Sequence, residues 1–242
     1  IVVAAWILWC RDKEVGYRIG FAFLSGVVLN PILKNLFRVS RPIGSEGVES
    51  MRLHTATGYA FPSGHSQGAA SFWTAVMTTL CRRWAWILGS VMMLMVAFSR
   101  LYLGVHWPMD VVGGLAAGIL WVLLVNRLYD RARNAGQPAL LLVCILPLMG
   151  GLIIIPGDNS YIVAAGALMG FWSGFVLETR FIHHEPAAAP AGVQAAKLAA
   201  GLAIVLLLQA GLKSLLPFPP AVSDLLRYLL IGLWLTAGAP FV

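Results

Sequence analysis

Apolar residues in this chain do not alternate with polar ones. They run on for close to the length of a bilayer crossing, break at short polar stretches, and resume. A membrane-spanning helix needs about 20 such residues, and the pattern predicts spans at about 17–37, 65–81, 84–103, 108–129, 139–156, 159–180, 194–216 and 222–242. The runs are apolar on every side and rich in Gly and Ala. A transmembrane barrel would instead show strict alternation over about 10 residues with a polar lumen face. Residues 1–10 read as the tail of one more span, because ten apolar residues precede Arg11 and the sequence opens on Ile1 rather than Met. Upstream residues are therefore expected. A cleaved signal peptide fits less well, since no small-residue cleavage pattern precedes the charges. The predicted fold is an all-α polytopic membrane bundle.

Composition agrees with the pattern: 59% of the 242 residues are hydrophobic and only 11% are charged, against about 25% charged in soluble domains. The net charge of +7 does not point to nucleic acid, because the cations sit at span ends and form no basic stripe with interleaved aromatics. Alternating the spans puts ten of the Lys and Arg residues on one face of the membrane and seven on the other. The positive-inside rule makes the richer face cytoplasmic. Cys10, Cys81 and Cys144 are scattered and imply neither a disulfide framework nor a metal cluster.

Most of the remaining polar chemistry is gathered in three short stretches, K-x6-R-P from Lys34 to Pro42, P-S-G-H from Pro62 to His65, and S-R-x5-H-x3-D from Ser99 to Asp110. Pro42 disfavours helical geometry at Arg41, so the first helix ends before it and Arg41 comes from a loop. Lys34 and Arg38 are expected to share a face at i, i+4, where the plainer use is a pair of interfacial cations reaching for headgroups. Ser63 stands where it can cap the next helix, whose free N–H groups attract an anion, and Gly64 lets a ligand come close. Arg100 lies near the outer end of a span, where an arginine usually faces a partner, a cavity or a ligand, or simply snorkels to the interface. Asp110 falls in the first turn of a helix opened by Pro108. It can complement the helix dipole, or accept a hydrogen bond from His106 and orient the imidazole. Each motif has an ordinary reading alone, but the alternation of spans carries all three to one side of the membrane. Two histidines, one aspartate and three fixed cations suit phosphoryl transfer without a metal.

With these residues quoted, the chain resembles the type 2 phosphatidic acid phosphatases (PAP2), which share an active site with vanadium-dependent haloperoxidases and bacterial acid phosphatases. The resemblance covers about residues 17–130 and matches each motif. It implies a phosphatase core over 1–135, with 136–242 as an added C-terminal bundle of about four membrane helices. His106 would be the nucleophile, Asp110 its orienter and His65 the acid and base. Lys34, Arg41, Ser63, Gly64 and Arg100 would hold the phosphate. No metal or other cofactor is implied. The expected substrate is a phosphorylated membrane lipid, and the expected place is a bacterial cytoplasmic (inner) membrane with the site facing the periplasm or exterior. A phosphotransferase with a lipid or sugar acceptor is a rival from the same site, and a lipid transporter or scramblase is a rival of another class. The spans after residue 139 lack charge near their centres, which weakens the last reading. The polar loop 38–61, with Arg52 and His54, reads as a cover over the site or as a plain solvated loop. His183, His184 and Glu185 lie on the opposite face with too few ligands nearby for a metal.

Overall fold

The computed structural model describes residues 5–51, 58–155, 157–186 and 190–239. Arg52 and His54, and the outer residues of the first and last predicted segments, lie outside the described residues. Eight α-helices follow in order: α1 Lys13–Phe37, α2 Gly64–Leu80, α3 Arg83–Tyr102, α4 Pro108–Asn134, α5 Leu142–Ile154, α6 Asn159–Leu177, α7 Ala191–Leu215 and α8 Pro220–Leu233. No strand occurs among the described residues, so the all-α bundle holds.

Among the described residues, six helical segments are long and apolar enough to cross a membrane: α1, α3, α4, α7, and α6 and α8 with their π-helical continuations to Ile182 and Gly238. The other two predicted spans are shorter. Helix α2 has 17 residues, about 25 Å at 1.5 Å per residue, and Ser66, Gln67, Ser71 and Thr74 are buried on it. It packs against α1, α3 and α4, so its surroundings are protein more than lipid and a fully apolar surface is not required of it. The segment Pro138–Ile154 is also short, and opens with a 3₁₀ turn before α5.

Successive helices run in alternating directions, which brings the end of α1, the start of α2, the end of α3 and the start of α4 to one end of the bundle. Helix α1 stops at Phe37 because Arg38 takes a left-handed conformation (φ 52°) and its N–H closes on the Lys34 carbonyl. Lys34 and Arg38 therefore do not continue one helical face, contrary to the i, i+4 expectation. Helices α2 and α4 meet backbone to backbone. A Cβ at Gly114 would stand 2.7 Å from the Ser63 carbonyl oxygen, and one at Gly118 would stand 2.6 Å from that of Gln67. Small residues allow such close approach between membrane helices, and here they seat the P-S-G-H turn on the helix that carries Asp110.

The later helices pack onto this core. Tyr17 and Phe21 of α1 meet Phe171 and Phe175 of α6 edge to face, with ring centroids 4.8–6.0 Å apart. Gly166, Gly170 and Gly174 recur every fourth residue on α6, and a Cβ on any of them would collide with α8 or the turn that continues it. At the end away from the motifs, Lys13 Nζ lies 2.8 Å from Oε1 of the fully buried Glu178, and the same oxygen accepts the His184 N–H at 2.9 Å. Helix α7 packs chiefly on α8 and leaves Gln209 exposed.

Removing one partner of a buried ion pair leaves the other charge uncompensated, at a cost of about 3 kcal/mol. Lys13→Ala is therefore expected to lower the melting midpoint in detergent, and adding Glu178→Gln to Lys13→Ala should recover part of the loss. Equal midpoints for wild type and Lys13→Ala would show that the pair does not tie α1 to the later helices.

Candidate active site

A cavity of about 1040 Å³ opens at the motif end of the bundle. Lys34, Arg41, Gly64, His65, Arg100 and His106 all line it, so residues from three separate stretches converge on one space. Asp110 is buried directly behind His106.

His106 Nδ1 lies 3.3 Å from Asp110 Oδ2, and its Nε2 lies 3.1 Å from Arg41 Nη1. A guanidinium can only donate, so Nε2 is the acceptor and Nδ1 carries the proton toward Asp110. That assignment fixes the tautomer with the basic nitrogen on the cavity side. Asp110 is held in turn, because its Oδ2 accepts the Trp107 N–H at 2.7 Å and its backbone carbonyl accepts the Ser63 N–H at 2.9 Å. The second bond links the P-S-G-H turn to the third motif.

Lys34 and Arg41 donate to main-chain oxygens. Arg41 donates from Nε to the Gly58 carbonyl at 2.9 Å and from Nη1 to the Val105 carbonyl at 2.9 Å. Lys34 Nζ donates to the Tyr59 carbonyl at 2.6 Å, and Arg100 Nε to Ser99 Oγ at 3.1 Å. The loop after α1 thus reaches the site through Gly58 and Tyr59, both of which line the cavity. Its first turns, around Gly44 and Gly47, are exposed.

Ser63 differs from its expected role. It occupies the N-cap position of α2 but makes no side-chain cap bond; it is fully buried, and its Oγ accepts from Ser66 Oγ at 3.1 Å. Gly64 and His65 are the members of that turn at the cavity wall. A Cβ at Gly64 would stand 2.9 Å from Asn30 Oδ1. Asn30 itself donates to Gln67 Oε1 at 2.7 Å and to the Pro62 carbonyl at 3.3 Å, so it braces the turn from α1. The sequence reading passed over Asn30, and also Asp158, Asn159 and Ser160, which line the cavity from the turn between α5 and α6. D-N-S before an apolar run is a helix-start signal, and the alternation of spans puts that start on the motif side.

Burial, reinforced by the nearby charges of Arg41 and Lys34, pushes the His106 imidazole down to about 3. It is neutral at physiological pH and its Nε2 lone pair is intact. Burial also holds Arg41 below the usual guanidinium range, with Asp110 opposing.

One end of this helical bundle gathers two histidines, a buried carboxylate and three cations around a single cavity. The chain belongs to the PAP2 superfamily of membrane lipid phosphatases: residues 16–134 match the PAP2 superfamily and residues 162–242 match the PAP2 superfamily phosphatase transmembrane extension. Similar proteins include an undecaprenyl-diphosphatase of Sulfolobus acidocaldarius, 31% identical over 52% of this chain and 60% of its own length. Undecaprenyl-diphosphatase BcrC of Bacillus subtilis is 30% identical over 55% of this chain and 68% of its own. Phosphatidylglycerophosphatase B of the same organism is 27% identical over 57% and 69%. No solved structure matches the chain significantly.

With a folded value of about 3 and an ordinary value of 6.5, His106 binds fewer protons folded than unfolded. Its contribution to stability is present above about pH 6.5 and is lost as pH falls toward 3. Histidine titration of the detergent-solubilised protein by NMR should place His106 below pH 5. A midpoint near 6.5 would contradict the buried, cation-flanked environment.

Proposed function

We propose that the chain is a metal-independent lipid phosphatase that works through a phosphohistidine intermediate. The observation that carries this reading is the fixed His106 tautomer, with Nδ1 toward Asp110 and Nε2 facing the cavity shared with His65 and the cations. The Nε2 lone pair accepts from Arg41. When a phosphate enters, its oxygens take the donors of Lys34, Arg41 and Arg100 and the free N–H groups at the start of α2, and Arg41 releases the lone pair. Nε2 then attacks phosphorus and the bond to the leaving oxygen breaks. His65, exposed to the cavity, gives its proton to that oxygen. It next takes a proton from water, which attacks the phosphohistidine, frees phosphate and returns Nε2 to its starting state. Asp110 stabilises the positive charge that develops on the imidazole in both steps. Such chemistry rests mainly on positioning and charge stabilisation, and three cations supply the charge that a metal provides elsewhere.

Residues 1–135 act in this reading as the phosphatase core and 136–242 as its extension. The distribution of Lys and Arg supports a cytoplasmic-membrane protein with the site on the outer face. The names of the relatives support a lipid phosphate or diphosphate as substrate, with undecaprenyl diphosphate, phosphatidylglycerophosphate and phosphatidic acid as the candidates.

Replacing the nucleophile removes the covalent route. His106→Ala is expected to lower phosphate release by at least about 10³-fold while the protein elutes and melts as a folded bundle; full activity in that variant would end the proposal. Chelation with EDTA should leave turnover intact and vanadate should inhibit it, whereas activity lost to EDTA and restored by magnesium would contradict the cation-only site.

A further inference from the structure

The cavity is larger than a phosphate group needs, and it has a wall that the mechanism leaves unused. Asp158, Asn159 and Ser160 come from the turn between α5 and α6 and line the same space as His65 and His106. They fall between the two matched regions, 16–134 and 162–242. Asp158 is half-buried and its Oδ1 accepts the Tyr161 N–H at 3.1 Å as the N-cap of α6, which fixes the carboxylate at the wall. It lies within electrostatic reach of the Lys34 ammonium.

The donor set of this wall is acidic and neutral. An ionised carboxylate only accepts hydrogen bonds, while an amide and a hydroxyl both donate and accept. The wall adds no cation to Lys34, Arg41 and Arg100, so a second phosphate would bring further negative charge into the space that Asp158 bounds. A hydroxyl or an ammonium beside the phosphate ester would instead find an acceptor there. The lipid chain has a separate apolar path, because Phe23 and Val27 continue the Lys34 face of α1 along the cavity and a Cβ at Gly68, on the facing helix, would meet only open space.

We infer that the α5–α6 turn is a headgroup subsite, in which Asp158 selects lipid monophosphates bearing a hydrogen-bond donor next to the phosphate ester and discriminates against lipid diphosphates. The inference rests on the lipid phosphatase reading and narrows its substrate. Like-charge juxtaposition is a common device for rejecting a competing ligand.

The test compares kcat/KM for four probes in detergent: lysophosphatidic acid with its neighbouring hydroxyl, sphingosine 1-phosphate with its ammonium, dodecyl phosphate with no donor, and farnesyl diphosphate. Wild type should favour the two donor-bearing monophosphates by about tenfold, since hydrogen bonds to charged groups are the stronger ones. Asparagine caps a helix as well as aspartate does, so Asp158→Asn keeps the turn. It should cut that preference to about two- to threefold, and the ammonium arm should fall most because it loses an ion pair as well as a hydrogen bond. Unchanged ratios in Asp158→Asn at healthy turnover, or a wild-type preference for the diphosphate, would overturn the subsite and leave the phosphatase reading standing. No phosphate release from any probe would overturn both.

Discussion

Three fixed cations crowd one neutral imidazole, and the rest of the site follows from how that crowding is made tolerable. Lys34, Arg41 and Arg100 all face the cavity that His106 lines. Like charges so arranged repel, and the protein offsets those of Lys34 and Arg41 with main-chain carbonyls at Gly58, Tyr59 and Val105. Those oxygens carry partial rather than full negative charge, so they solvate the cations without neutralising them. The site remains positive and ready for a dianion. Burial, with the same positive field added, keeps His106 unprotonated, so the charge gathered at the cavity also keeps the imidazole lone pair available.

Backbone geometry and glycine packing do much of the holding. The left-handed Arg38 ends α1 so that Arg41 can turn back over His106. The close seats of Gly114 and Gly118 on α2 bring the P-S-G-H turn against α4, and the Ser63 N–H to Asp110 carbonyl bond locks the two together. On the far side, the edge-to-face rings of α1 and α6 and the buried Lys13–Glu178 pair join the later helices to the core. That junction matters for the site, since it delivers the α5–α6 turn to the cavity wall.

Much of this was legible in the sequence. The eight apolar runs are eight helices, because hydrophobic length is a local property, and the alternation of spans brought the three motifs to one end. The loop origin of Arg41 followed from Pro42. What escaped depended on tertiary placement. Nothing local marks Ser63 as buried against Ser66, since its cap position looks the same in either case. The Arg38 turn escaped because a left-handed non-glycine cap has little sequence signature. Asp158 to Ser160 carried a readable helix-start signal, yet their place at the cavity depends on how α6 packs against α1. The Gly166, Gly170, Gly174 spacing was a readable packing signal that went unused.

The central claim is that the neutral His106, with its Nε2 facing the cavity, is the atom that takes the phosphoryl group. The most direct measurement is rapid quenching of turnover on a lipid carrying ³²P in its terminal phosphate, followed by peptide mapping. The account predicts an acid-labile, base-stable label on the peptide containing His106, formed before phosphate appears in solution and discharged by water. Label on another residue, or burst-free release of phosphate with no covalent species at any quench time, would contradict it.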